Sequence, residues 1–250
     1  MATIITCEHG GARIPPRHQY LYKGKQRELH SHRGWDAGAL RLADKLSRDL
    51  PAPLFKSTVS RLLVDLNRSL HHPRVFSEFT IGLEAPIKQQ IIERYYRPYR
   101  DEIENAIRKS INSNSPVMHL SVHSFSPDLN GQTRNADIGL LYDPARTLEK
   151  ALCDDLRALF SSAWPDAAIR RNYPYRGNAD GLTTALRRKF SEHAYVGVEL
   201  EINQKHVLGN TPLWRTICLE MGNLIQHELA CFSPTADTNM LSFQSGKKRL

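Results

Sequence analysis

Short apolar runs alternate along this chain with stretches of helical period, and that alternation limits the fold more than any other feature. Ile4 to Cys7, Leu54 to Lys56, Val117 to Val122, Ile138 to Leu141, Ala168 to Arg171 and Tyr195 to Ile202 read as strands, and Leu62 to Leu66 is a further apolar run. Between them, Ala39, Leu40, Ala43, Leu46 and Leu50 recur at helical spacing, predicting a helix from Ala37 to Leu50 that Pro51 ends. Further helices are predicted over about Ile87 to Ile111, with a kink or break at Pro98, over Thr147 to Phe160, and over Leu182 to Phe190. Thr211-Pro212 is an N-cap and N1 pair opening a last helix to about Ala230. Strands alternating with helices argue for an α/β protein, three layers deep, with a mostly parallel central sheet and helices on both faces. No internal repeat or linker divides the chain. Residues 1–232 are therefore expected to form a single α/β domain, and residues 233–250 a polar, flexible tail.

In such sheets ligands bind beyond the carboxyl ends of the strands, and the polar residues gather there. The first strand runs into Glu8-His9-Gly10-Gly11. His123 ends the strand Val117 to Val122, Glu201 lies near the end of Tyr195 to Ile202, and Asp36 stands where the first long helix should have its N-cap. Two imidazoles, a helix-capping carboxylate and a further carboxylate make a plausible zinc site, since zinc takes nitrogen and oxygen ligands and catalytic sites use three protein ligands with water in the fourth place. Each residue also has a plainer reading: a hydrogen-bonded histidine, an aspartate that only caps a helix, or, for Glu199 and Glu201, the solvent face of an edge strand. Strand parity sets Glu8 and His9 on opposite faces unless the chain turns there, and it puts Gly197, Glu199 and Glu201 on one face. Buried carboxylates sharing a face need a partner. Gly10 and Gly11 would let the backbone approach an ion or substrate closely. Arg61, Asn67 and Arg68 in "VSRLLVDLNRS" and Arg176 in "NYPYRGNADG" offer groups that match carboxylates, or else pair internally with Asp65 or Asp180.

The formal charge of +8 favours an anionic partner. Basic residues are spread along the chain, with no zinc finger or helix-turn-helix pattern, which favours a small anion over nucleic acid. No stretch nears the roughly 20 apolar residues of a membrane span. Met1-Ala2-Thr3 leads straight into a strand without a signal peptide, and Cys7, Cys153, Cys218 and Cys231 form no C-x-x-C pair. A cytoplasmic protein with reduced thiols is expected.

"CEHGGARIP", "WDAGALRLADKL", "STVSRLLVDLNRS", "YYRPYRDEIE", "LSVHSFSP", "NYPYRGNADGLTTALRRKF" and "VELEINQ", in this order, resemble the N-formylglutamate amidohydrolase family over about residues 4 to 228. "SRLLVDLNRS" and "SVHSFSP" are the most specific of these. The resemblance implies an α/β/α fold akin to zinc carboxypeptidases and zinc-dependent cell-wall amidases. It implies His9, Asp36 and His123 as zinc ligands and Glu201 as general base, chosen over Glu199 because Leu200-Glu201-Ile202-Asn203-Gln204 matches an "LE-x-x-Q" pattern. The expected reaction is hydrolysis of a small anionic amide, such as an N-formyl- or N-acylglutamate, with Arg61, Asn67, Arg68 and Arg176 on its carboxylates. Ser121-Val122-His123-Ser124 departs from the "DAHS" of the deformylases of histidine breakdown, so the resemblance does not fix the acyl group or amino acid. A zinc peptidase or cell-wall amidase is the alternative enzyme. A basic nucleic-acid-binding protein with structural histidines is the alternative of another class.

Overall fold

The computed structural model describes residues 1–232, and the predicted polar tail lies outside them. In chain order the elements are β1 (Ala2–Cys7), a 3-10 turn (Pro16–Tyr22), α1 (Gln26–Leu29), α2 (Ala39–Asp49), β2 (Leu54–Lys56), α3 (Ala85–Ile91) and α4 (Arg97–Asn112). Then come β3 (Val117–Phe125), a small hairpin of β4 (Asp128–Leu129) and β5 (Gln132–Thr133), β6 (Ile138–Leu141), α5 (Thr147–Ala163) and β7 (Ile169–Arg171). The chain continues with α6 (Leu182–Arg187), β8 (Tyr195–Asn203), α7 (Gln204–Leu208) and α8 (Pro212–Cys231).

Six strands form one sheet in the order β2-β1-β3-β8-β6-β7. The first four run parallel. β6 is antiparallel to β8, and β7 follows the direction of β6. The sheet is thus mostly parallel, as expected, with a reversed edge that apolar patterning alone does not reveal.

Strand parity sorts the two faces. Ile5, Met118, Leu120, Val122, Val198 and Leu200 pack under α2, α5 and α8. Ile4, Val117 and Tyr195 face α4, α6 and the long segment between β2 and α3, where Leu63, Val64 and Leu66 are buried. That second face also carries a polar stripe of Thr6, His119, Ser121 and Glu199, all buried. It climbs toward the carboxyl ends of β1, β3 and β8.

Local details follow the chain's chemistry. A single π turn, Ile92–Tyr96, interrupts the predicted long helix just ahead of Pro98. Proline lacks the N–H of that turn and its ring crowds the carbonyl four residues back. α8 opens as predicted, with the Thr211 hydroxyl accepting from Trp214 N. α2 does not, because its N-cap is Gly38, at φ 78°, and the Asp36 carboxylate caps nothing. β3 runs on past His123 to Phe125. At Gly10 and Gly11 a Cβ would lie 2.9 Å from Ser57 O and 2.8 Å from Thr58 O. These glycines make room for the strand-like segment after β2.

Candidate metal centre

β1 stops at Cys7 and the chain turns at Glu8-His9, so both side chains reach the same centre despite adjacent positions. Asp36 N donates to His9 O at 2.9 Å, which anchors the segment before α2 beside that turn. His123 arrives from β3, next to Glu201 in the β3–β8 register. One donor atom each of His9, Asp36 and His123 lies within 4.8 Å of the others, and all three residues are buried. The Asp36 Oδ2 atom is 3.3 Å from His9 Nδ1 and 2.9 Å from His123 Nδ1. Two imidazole nitrogens and a carboxylate oxygen, focused this closely, can hold one divalent ion.

Each histidine is gripped from behind. His9 Nε2 is 2.8 Å from Asp65 Oδ1, and His123 Nε2 is 3.0 Å from Glu8 Oε2. Arg61 donates from Nε and Nη2 to Asp65 Oδ2 at 3.1 and 2.7 Å, and its Nη1 lies 3.5 Å from Asp36 Oδ1. Ser124 donates to Ala37 O at 2.8 Å and meets Gln204 Nε2 at 3.1 Å, which ties the end of β3 to the Asp36 segment and to α7.

Burial and charge compete here. Burial pushes Asp36 up, but the charges and hydrogen bonds of His9 and His123, with Arg61, hold it well below the usual carboxylate range. Asp65 is likewise raised by burial and held low, chiefly by the Arg61 and His9 charges. Burial lowers His123, yet its hydrogen bonds to Asp36 and Glu8 outweigh this and keep its pKa well above the ordinary value. Glu201 is the exception. Burial, reinforced by the negative charges of Asp36 and Glu199, lifts it to about 8 against the pull of His123 and Arg61. Its Oε2 is the one buried side-chain polar atom without a hydrogen-bond partner among the described residues. Glu199, by contrast, accepts from the Thr183 hydroxyl at 2.5 Å.

A cavity of about 430 Å³ opens onto these groups, lined by His9, Asp36, His123 and Glu201 and walled by Arg33, Arg61, Arg68 and Arg74. His32 and Tyr175 also face it. Of the four residues expected on substrate carboxylates, Arg61 and Arg68 line the cavity, whereas Asn67 and Arg176 do not. Arg61 spends its fork on Asp65, and Arg68 donates from Nη1 to Asp180 O at 2.5 Å. Asn67 accepts from Leu182 N at 2.7 Å and its Nδ2 is 3.4 Å from His123 Nε2, while Arg176 is exposed. Asp65 was legible only as a possible arginine partner. Ser121 was findable from its place two residues before His123, which puts both on one face.

A family model described as N-formylglutamate amidohydrolase matches residues 1–208. The chain belongs to the N-formylglutamate amidohydrolase family. It is similar to the gene product Atu2144 from Agrobacterium tumefaciens, with a TM-score of 0.78 at 26% identity over 92% of this chain and 90% of that one. It also shares the fold of an N-formylglutamate amidohydrolase from Ralstonia eutropha JMP134, with a TM-score of 0.67 at 18% identity over 91% and 92% of the two chains. Comparison with curated proteins finds no significant match. Family membership and the His9–Asp36–His123 cluster together make this a metal-dependent amidohydrolase acting on a small amide.

Proposed function

We propose that the enzyme hydrolyses a small N-acyl amino acid, N-formyl- or N-acylglutamate in the first instance, with zinc held by His9, Asp36 and His123. The observation that carries this is the unpartnered Oε2 of Glu201, buried at the edge of the same cavity as the three-residue cluster. A buried carboxylate oxygen without a donor is costly unless a ligand or water meets it. When bound, the dication polarises an amide carbonyl and lowers the pKa of water. Glu201 then takes the proton of the attacking water and delivers it to the departing amine. Its raised pKa suits that work, because a desolvated carboxylate binds a proton more avidly. Positive charge at the cluster draws it back toward the working pH.

Arg68 is the favoured holder of a substrate carboxylate, since it lines the cavity and most of its guanidinium stays unspent. Arg61 supports from beside Asp36, with Asn67 and Arg176 behind it as the remaining candidates. Arg33 and Arg74, not singled out from sequence, add positive charge to the same wall. Residues 1–232 are read as the catalytic domain. Four free cysteines, two of them buried, support a cytoplasmic setting, and no helix among the described residues is long and apolar enough to cross a membrane.

The test is release of free amino acid from a panel of N-formyl and N-acyl amino acids, with metal analysis of the same preparation. Hydrolysis that a chelator abolishes and zinc restores is expected. A fully metal-loaded protein that releases no amine from any member of the panel would sink the reading.

A further inference from the structure

Beneath the metal centre the polar stripe of the second sheet face runs from Tyr195 toward Glu8. Tyr195 OH lies 2.7 Å from His119 Nδ1, and His119 Nε2 lies 2.9 Å from Thr6 Oγ1. Thr6 in turn stands beside Glu8. Ser121 donates to Glu8 Oε2 at 2.9 Å and Tyr99 donates to Oε1 at 3.2 Å. Glu8 then meets His123 Nε2 at 3.0 Å. All of these residues are buried.

The direction of the chain is dictated by its end. An ionised carboxylate only accepts, so the Thr6 hydroxyl beside it turns its proton toward Glu8. Thr6 must then accept from His119 Nε2–H, which leaves His119 Nδ1 to accept from the Tyr195 hydroxyl. Every donor points one way, toward Glu8, and aligned bonds of this kind reinforce one another. The path exists because Gly197 lies between Tyr195 and Glu199. A Cβ there would sit 2.7 Å from Tyr195 OH, in the space the phenol uses to fold back onto His119.

Glu8 and Asp65 do not stand alike behind their histidines. Asp65 is neutralised by Arg61. Among the described residues no lysine or arginine pairs with Glu8. Its charge faces the centre through His123 alone.

We propose that Glu8, held by the Tyr195–His119–Thr6 chain and by Ser121 and Tyr99, is the positioning residue of the metal centre. With Glu8 Oε2 3.0 Å from His123 Nε2 and Ser121 Oγ bridging the two at 2.9 Å from each, it fixes the His123 ring with Nε2 toward Glu8 and Nδ1 toward the cluster, and it makes Nδ1 a stronger donor to a divalent cation. The proposal rests on the metal-centre reading above and adds to it a group that touches neither substrate nor ion. Partners of this kind typically carry 10–100-fold in metal affinity.

The experiment measures zinc affinity of the metal-free full chain by competition with a chromophoric chelator, and the visible absorption of the cobalt(II)-loaded protein, for wild type, Glu8→Gln, Thr6→Val and Tyr195→Phe. Glu8→Gln should bind zinc about 10–100-fold more weakly and change the cobalt spectrum. Thr6→Val and Tyr195→Phe should weaken binding in the same direction by less. Melting temperatures are recorded alongside, since a merely structural residue lowers melting while the folded protein keeps its metal affinity. Zinc affinity within roughly twofold of wild type in Glu8→Gln, with an unaltered cobalt spectrum, overturns the proposal. If Glu8→Gln does not fold, Ser121→Ala joins Thr6→Val as the deciding pair, and wild-type affinity in both overturns it equally. Wild type that takes up no divalent metal yet hydrolyses amides would overturn the metal-centre reading itself, and this inference with it.

Discussion

At the scale of single residues, Glu201 unites two costs that a structural residue would not carry together. Its carboxyl is raised to about 8 by burial, then by Asp36 and Glu199. A group whose folded pKa exceeds its unfolded value contributes stability that is full below the unfolded value, near 4.5, and is lost as pH rises through about 8. Glu201→Gln removes that loss. The metal-free variant should therefore gain stability over wild type as pH rises from about 4.5 to 8, by an amount on the order of a few kcal/mol. It should also lower turnover by about a hundredfold or more with metal content unchanged. Chemical denaturation at pH 5 and pH 8, beside turnover of the loaded enzyme, checks both halves. A variant that is inactive but gains nothing at pH 8 would mean that Glu201 is ionised in the folded protein. Arg68 is a second case. Arg68→Lys keeps charge but loses the planar fork, so kcat/KM should fall for an N-acyl amino acid and hardly change for an amide without a carboxylate. Equal losses on both, with a lowered melting point, would make its bond to Asp180 O the whole of its role.

At the scale of elements, the sequence was legible where local pattern decides and silent where distant chain decides. β2 and β6 have their predicted bounds, and β8 ends one residue later, because apolar runs between breakers need no tertiary information. Asp36 looked like an N-cap because aspartate before a helix usually is one. Its carboxylate instead turns to two histidines brought from other strands, and Gly38 starts the helix. Short elements such as α1, α7 and the β4–β5 hairpin, and the buried segment between β2 and α3, are shaped by contacts that no window of sequence contains. The glycine pair after β1 tests this account. A Cβ at Gly11 would lie 2.8 Å from Thr58 O and 3.0 Å from Thr58 Cα, and backbone cannot step aside as a side chain can. Gly11→Ala should cost about 1–3 kcal/mol, whereas Gly82→Ala, where a Cβ meets nothing within 4 Å, should be nearly neutral. Both are read from thermal melts. An unchanged melting point in Gly11→Ala would mean that the segment after β2 shifts freely and that its bridge from Val59 to Arg13 does not fix its place.

At the scale of the whole molecule, the metal centre is a junction. His9 comes from the end of β1, Asp36 from the segment before α2, His123 from β3, Asp65 and Arg61 from the stretch after β2, and Glu201 from β8. Three carboxylates, Glu8, Asp36 and Asp65, are gathered there out of water. In the metal-free protein the compensating charge is Arg61, together with a proton that His123 holds because Asp36 and Glu8 flank it. A dication replaces that proton by a charge tied to several segments at once, so it favours the folded state over any state in which the segments separate. A ligand that binds only the folded chain stabilises it by about 2.7 kcal/mol when free ligand is 100 times its dissociation constant. For a protein of this size that corresponds to a rise in melting temperature of roughly 5–10 °C. Chelator-treated protein should therefore melt that much lower than the same protein with excess zinc. The gap should grow with zinc concentration and close in a His9→Ala, His123→Ala double variant. Magnesium should produce little shift, since it prefers oxygen ligands and keeps its waters. Identical melting curves with chelator and with saturating zinc would show that the cluster holds no ion in solution. The three buried acids would then be balanced by Arg61 and a protonated His123 alone, and the unpartnered oxygen of Glu201 would need another occupant.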